Sequence, residues 1–126
     1  MNCPYCGGIA TLKDSAIIYN GVSHGLVYIC ENFPICDSYV GIHRKTLKPL
    51  GRLADKELRV LKQQAHKYFD FLWKNRLQKH ARKRAYKWLS KQLGLHYDDC
   101  HIGYFDNEMT LKVIKLCKPL YEKLSK

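Results

Sequence analysis

A chain of 126 residues, 46% hydrophobic and 26% charged, has room for one compact unit or one domain with a small satellite. It lacks an apolar run of the roughly eighteen residues a membrane-spanning helix needs, and with two residues ahead of Cys3 no secretory leader is expected. The expectation is a soluble, cytoplasmic protein with no membrane partner, a setting where paired cysteines bind metal more often than they form disulfides.

The formal charge of +11 is unevenly placed. Residues 1–43 carry one Lys/Arg against three Asp/Glu, residues 44–93 sixteen against three, and residues 94–126 five against five. All the excess lies in the middle. Such a block suits a polyanion such as nucleic acid, or an acidic protein surface. A solvated helix face is the plainer alternative.

In chain order, the first feature is a C-x2-C pair, Cys3 and Cys6, within Cys3-Pro4-Tyr5-Cys6-Gly7-Gly8. A wider pair, Cys30 and Cys36, follows after twenty-three residues. Two short loops that each present two thiolates across a hairpin supply the tetrahedron zinc prefers, so Cys3, Cys6, Cys30 and Cys36 are the expected ligands of one structural Zn²⁺. The glycines let the backbone turn beneath the metal. Between the pairs, residues 11–19 contain the β-prone Ala16-Ile17-Ile18-Tyr19, and Asn20-Gly21 signals a turn. Residues 26–29 return as a strand that delivers Cys30, and residues 37–41 leave as a third. This pattern is a zinc ribbon.

The residues Cys3-Pro4-Tyr5-Cys6-Gly7-Gly8 and Tyr28-Ile29-Cys30-Glu31-Asn32-Phe33-Pro34-Ile35-Cys36 resemble the four-cysteine zinc ribbons at the C-terminal end of bacterial type IA topoisomerases. That resemblance covers about a third of the chain, includes no catalytic part, and implies a ribbon that helps hold single-stranded DNA. The whole chain is similar to a small zinc-finger-containing family of phages, prophages and bacteria. The residues that carry this likeness are Cys36-Asp37-Ser38-Tyr39-Val40-Gly41, Pro49-Leu50-Gly51, Ala65-His66, Phe69-Asp70, Leu72-Trp73, Ala85-Tyr86-Lys87-Trp88-Leu89, and His101-Ile102-Gly103 with Phe105. It implies zinc and supplies no mechanism.

Residues 44–52, with Arg44, Lys45 and Arg52, read as a basic linker between a ribbon at 1–43 and a helical domain at 53–126. Asp55 is placed to cap a helix in which Leu58, Leu61, Ala65, Tyr68, Phe69, Leu72 and Trp73 share one arc. Val60 and Phe71 fall outside it. Asn75 is placed to break or re-cap this helix, and Gly94 to end the next. Between them, Leu77, Ala81, Ala85, Trp88, Leu89 and Leu93 take one side of the wheel. Arg76, Lys79, His80, Lys83, Arg84, Lys87 and Lys91 take the other, with Arg82 alone among the apolar set. No carboxylate neutralises that face, which therefore repels itself and reads as a binding face. Residues 95–105 read as a loop or short turn. Asp106 is placed to cap a last helix that buries Val113, Ile114, Cys117, Leu120, Tyr121 and Leu124, with Pro119 kinking it or opening a new turn.

The expected architecture is α+β, a zinc ribbon packed on a bundle of three or four helices. Tyr5, Phe33 and Tyr39 are candidates for stacking unpaired bases, or equally for a miniature core. His96, Cys100, His101 and Cys117 match no knuckle spacing, which leaves a second metal site an open question. Asp98-Asp99 with His101 could in principle hold a divalent metal for phosphodiester cleavage. Adjacent acids in a loop are more often turn residues, however, no basic partner at nuclease-like spacing accompanies them, and no phosphate-cradling glycine loop occurs. The expected function is non-catalytic binding of DNA or RNA through phosphates, with docking on an acidic host-protein surface as the rival. Oligomeric state is left open.

Overall fold

A computed structural model describes residues 1–74, 76 and 79–125. The fold is α+β: a three-stranded antiparallel sheet with a four-cysteine cluster, then three helices packed together. The chain divides into two compact units, Met1–Arg59 and Val60–Lys126.

In the first unit, β1 (Ala10–Asp14), β2 (Leu26–Cys30) and β3 (Tyr39–Gly41) lie in that order, with β2 central. Ala10 pairs with Cys30 and Asp14 with Leu26, while Ile29 pairs with Tyr39 and Val27 with Gly41. The β-prone stretch after Asp14 is not strand. The Asp14 carboxylate accepts from the Ala16 N–H at 2.8 Å and caps a 3-10 turn over Ser15–Ile17. Ser15 is buried, and its hydroxyl accepts from the His24 N–H at 2.7 Å. Local side-chain hydrogen bonds outcompete β propensity here.

The basic stretch 44–52 belongs to this same unit. After β3 the chain closes a tight turn through the bridge Ile42↔Pro49, and Tyr39 bridges back to Ala54. Leu53 is fully buried with Cys3, Ala10 and Cys30, and Cys36 and Val40 pack against them. A ribbon this small has few apolar side chains of its own, and Leu53 completes its core. The division therefore falls after Arg59, later than a linker at 44–52 would place it.

Asp55 caps α1 (Lys56–Asp70), its carboxylate accepting from the Leu58 N–H at 2.9 Å. Within the first unit the Arg59 guanidinium donates to the carbonyl oxygens of Asp37 at 2.7 Å and Ala54 at 2.6 Å. It also covers the Tyr39 ring at 4.0 Å from the centroid.

In the second unit, Ala65 and Phe69 of α1 are fully buried with Leu89, Cys100, Ile102, Phe105, Val113 and Cys117. Helix α2 (Ala81–Leu93) starts later than the basic run, because His80 sits at φ 62°, in the left-handed region. Arg76, Lys79 and His80 thus precede the helix, while Asn75 and Leu77 lie outside the described residues. Gly94 ends α2 at φ 70°, and the Leu95 N–H reaches back to the Ser90 carbonyl at 2.9 Å. Leu89 is fully buried, whereas Trp88 is half-buried at the edge of the core.

Two 3-10 turns, Tyr97–Asp99 and Ile102–Tyr104, occupy the stretch expected to be loop or short turn, and that stretch also buries Cys100, Ile102 and Phe105. Asp106 caps α3 (Asn107–Leu124) by accepting from the Met109 N–H at 2.9 Å. The helix continues through Pro119, and Leu124 is exposed. Among the described residues no helix is long and apolar enough to cross a membrane.

Candidate metal centre

The first cysteine pair is held by a tight turn. The Cys3 N–H donates to the Gly8 carbonyl at 2.8 Å and the Gly7 N–H to the Cys3 carbonyl at 3.0 Å, with Gly7 at φ 76°. A side chain at Gly7 would be strained, hence glycine. Gly8 answers to space instead: a Cβ there would stand 2.9 Å from Asn32 Nδ2. The second pair comes from the end of β2 and the arch after it, where the Phe33 N–H donates to the Cys30 carbonyl at 3.1 Å and the Cys36 N–H to the Asn32 carbonyl at 3.0 Å. The register Ala10↔Cys30 and the bond from the Glu31 N–H to the Ile9 carbonyl at 2.9 Å bring the two loops together.

All four sulfurs lie within 4.8 Å of one another. Cys3 and Cys36 approach to 3.5 Å and Cys6 and Cys30 to 3.4 Å. A zinc ion with Zn–S bonds of about 2.3 Å has tetrahedral sulfur–sulfur edges of about 3.8 Å, a few tenths of an ångström longer than the two closest pairs and inside the 4.8 Å that bounds all four. A disulfide needs about 2.05 Å, and all four cysteines are free. The cluster fits one structural zinc.

Surrounding donors prepare the sulfurs for charge. Burial opposes ionisation of Cys3, but hydrogen bonds from the Ser38 hydroxyl and the Cys6 and Tyr5 amides outweigh it and bring its thiol down to about 6. The Asn32 side-chain amide, 3.3 Å from the Cys6 sulfur, holds Cys6 below the ordinary thiol range, with help from the Gly8 amide. Burial pushes Cys30 up to about 12, so at neutral pH zinc must displace at least its proton.

Sequence reasoning missed Ser38. Its hydroxyl lies 3.1 Å from the Cys3 sulfur and 3.5 Å from that of Cys36, and the residue is fully buried. A small polar residue two positions after the last ligand was the available signal. Ser38→Ala should leave the ribbon folded and weaken zinc retention about 10- to 100-fold, the usual effect of losing a partner that orients a ligand. Chelator competition against the parent protein measures it.

The expected nucleic-acid contacts are spread over both units. Arg44 and Lys45 are exposed in the turn after β3, and the Arg52 guanidinium lies 5.5 Å from the Tyr5 ring centroid. Tyr5 is 39% exposed, and its hydroxyl accepts from the Asp55 N–H at 3.2 Å. Phe33 is half-buried, and one face of Tyr39 is taken by Arg59. Arg76 and Lys79 are exposed ahead of α2, and Lys83, Arg84, Lys87 and Lys91 are exposed on it. Arg82 is exposed too, with its guanidinium 4.8 Å from the Tyr86 centroid and 5.5 Å from that of Trp73.

Cys3, Cys6, Cys30 and Cys36 are the one metal-competent cluster among the described residues. Cys100 and Cys117 serve the helical core, where burial raises the Cys100 thiol and pushes Cys117 up to about 12. His96 caps its own turn by accepting from the Asp98 N–H at 3.2 Å. His66 and Asp70 form an i,i+4 pair at 3.5 Å.

The family described as a zinc-finger-containing domain matches residues 1–120, and the chain belongs to it. No curated protein and no solved structure is significantly similar to the chain.

Proposed function

We propose that this member of the zinc-finger-containing family is a non-catalytic nucleic-acid-binding protein whose affinity is led by phosphate contacts and whose sequence preference is weak. The observation that carries the reading is α2, whose thirteen residues include five cations and no carboxylate. Lys83, Arg84, Lys87 and Lys91 are exposed, and none pairs with a carboxylate among the described residues. Such a helix repels itself until an anion arrives. The likeness of the ribbon to those of type IA topoisomerases supports a single-stranded partner. Zinc here shapes the ribbon and takes no part in chemistry.

The rival, docking on an acidic protein surface, draws on the same cations and on Val60, an apolar residue left 44% exposed. Phe71 does not add to it, since its ring packs edge-on against Tyr121 at 4.9 Å. Salt dependence separates the two. Nucleic-acid affinity should fall with a log–log slope of about −0.9 per phosphate contact on duplex and about −0.7 on single strands. Lys83→Ala with Lys87→Ala should flatten the slope by roughly one to two units, equally for every sequence tested. A parent protein that binds neither strand form tighter than about 100 μM at physiological salt would hand the face to an acidic protein instead.

A further inference from the structure

The turn after β3 repeats the backbone of the zinc knuckle. In the knuckle, an antiparallel bridge joins Asn2 to Ile9; in the later turn, one joins Ile42 to Pro49. Inside the first bridge, Cys3 N–H donates to Gly8 O at 2.8 Å and Gly7 N–H to Cys3 O at 3.0 Å. Inside the second, His43 N–H donates to Lys48 O at 2.8 Å and Leu47 N–H to His43 O at 2.8 Å. The left-handed residue falls at the same place, Gly7 at φ 76° and Leu47 at φ 60°. Even the amide that supports the second sulfur has a counterpart. Gly8 N–H supports Cys6, and Lys48 N–H donates to Thr46 Oγ1 at 3.3 Å. His43 and Thr46 thus stand where Cys3 and Cys6 stand, and the turn is a knuckle without thiolates.

In the zinc knuckle, the Tyr5 and Cys6 amides lie inside the turn that the Cys3–Gly8 and Gly7–Cys3 backbone bonds close. Their counterparts, the amides of Lys45 and Thr46, donate to no acceptor among the described residues. Arg44, Lys45 and Lys48 belong to the same turn, all exposed, and residues 42–50 contain no Asp or Glu. Leucine is an unfavourable choice at positive φ, so the conformation is held against local preference, as backbones at binding sites often are.

We propose that this thiolate-free knuckle binds a phosphate group of a nucleic-acid backbone. The Lys45 and Thr46 amides, which no acceptor among the described residues takes, donate to phosphate oxygens, as backbone nests do. Thr46 Oγ1 already accepts from Lys48, which leaves its own proton for the ligand. Arg44, Lys45 and Lys48 supply the countercharge. Tyr39 pairs with Ile29, the neighbour of Cys30, and Gly41 pairs with Val27 near the start of β2, so the turn lies at the end of the sheet away from the metal. The inference rests on the nucleic-acid reading and adds to α2 a second, separately testable contact.

The test is an amide NMR titration of the zinc-loaded full chain, once with inorganic phosphate and once with a single-stranded oligonucleotide. The Lys45 and Thr46 resonances should move with both, and those of Tyr5 and Cys6 should stay still with phosphate. Lys48→Ala should weaken phosphate binding several-fold, while Leu47→Gly, which adopts the same φ freely, should keep it. Oligonucleotide binding that moves α2 and leaves the turn still overturns this inference and spares the nucleic-acid reading. Phosphate moving the turn while the oligonucleotide moves nothing makes the ligand a free phosphate and sinks the nucleic-acid reading. If neither ligand moves the turn, the site is refuted.

Discussion

Cys30→Ser is expected to reduce zinc from one ion per chain to nearly none and to unfold the ribbon. The ribbon's buried cluster is Cys3, Ala10, Cys30 and Leu53, so half of it consists of metal ligands. Such a core cannot offset the chain entropy of the first unit. Structural zinc contributes an apparent 10–16 kcal/mol at neutral pH, roughly, and that term holds the segment folded. Cys30 sits at the joint of the design. It is 2% exposed, pairs with Ala10 across β1 and β2, and receives the Asn32 amide on its sulfur at 3.5 Å. Serine in its place offers a hard hydroxyl that zinc does not deprotonate as it does a thiol, leaving three ligands and a buried polar atom. Elemental analysis and hydrogen exchange of the β1 and β2 amides read the two effects. Cys117→Ser is the control, since Cys117 lies in the helical core and should not alter zinc content. A Cys30→Ser protein that keeps one zinc with the parent's resistance to chelators would show that the ligand set is wrong.

What the sequence discloses here follows from how local each determinant is. The four ligands were legible because zinc imposes short loop spacings that few other constraints produce. Asp55, Gly94 and Asp106 were legible as caps because each satisfies backbone groups within four residues of itself. The misread stretches depend on partners far along the chain or on a few local hydrogen bonds. Residues 16–19 have strand composition, yet the bond from Ala16 to the Asp14 carboxylate and those to the Ser15 carbonyl and hydroxyl turn the chain there. Residues 44–52 look like a linker by charge and by Pro49, although Leu53 anchors them to Cys3 and Cys30. Cys100, Ile102 and Phe105 follow neither a 3.6 nor a 2.0 period, because 3-10 turns deliver them to the core. In the wheel for residues 76–94, Lys83, Arg84, Lys87 and Lys91 are exposed as it implied, but Arg82, grouped there with the apolar set, is exposed too, and the helix begins later because His80 breaks the phase.

Phe69→Ala should destabilise the helical unit by about 3–5 kcal/mol, while Phe71→Ala, two residues on, should cost roughly 1 kcal/mol. Phe69 is 0% exposed and meets Tyr86 edge-to-face at 4.7 Å, within the cluster that includes Leu89, Ile102, Phe105 and Val113. Removing its ring opens a cavity bounded by α1, α2 and α3 at once, and no single helix can shift to fill it. Phe71 lies beyond the end of α1, half-buried, and loses mainly its edge contact with Tyr121. Because the contacts of both rings lie in the second unit, zinc content should remain one per chain in each variant. Denaturant melts of the two variants beside the parent measure the difference directly. Were Phe71→Ala the costlier change, the face of α1 that meets α2 and α3 would have to be reassigned, and the exposed basic face of α2 with it.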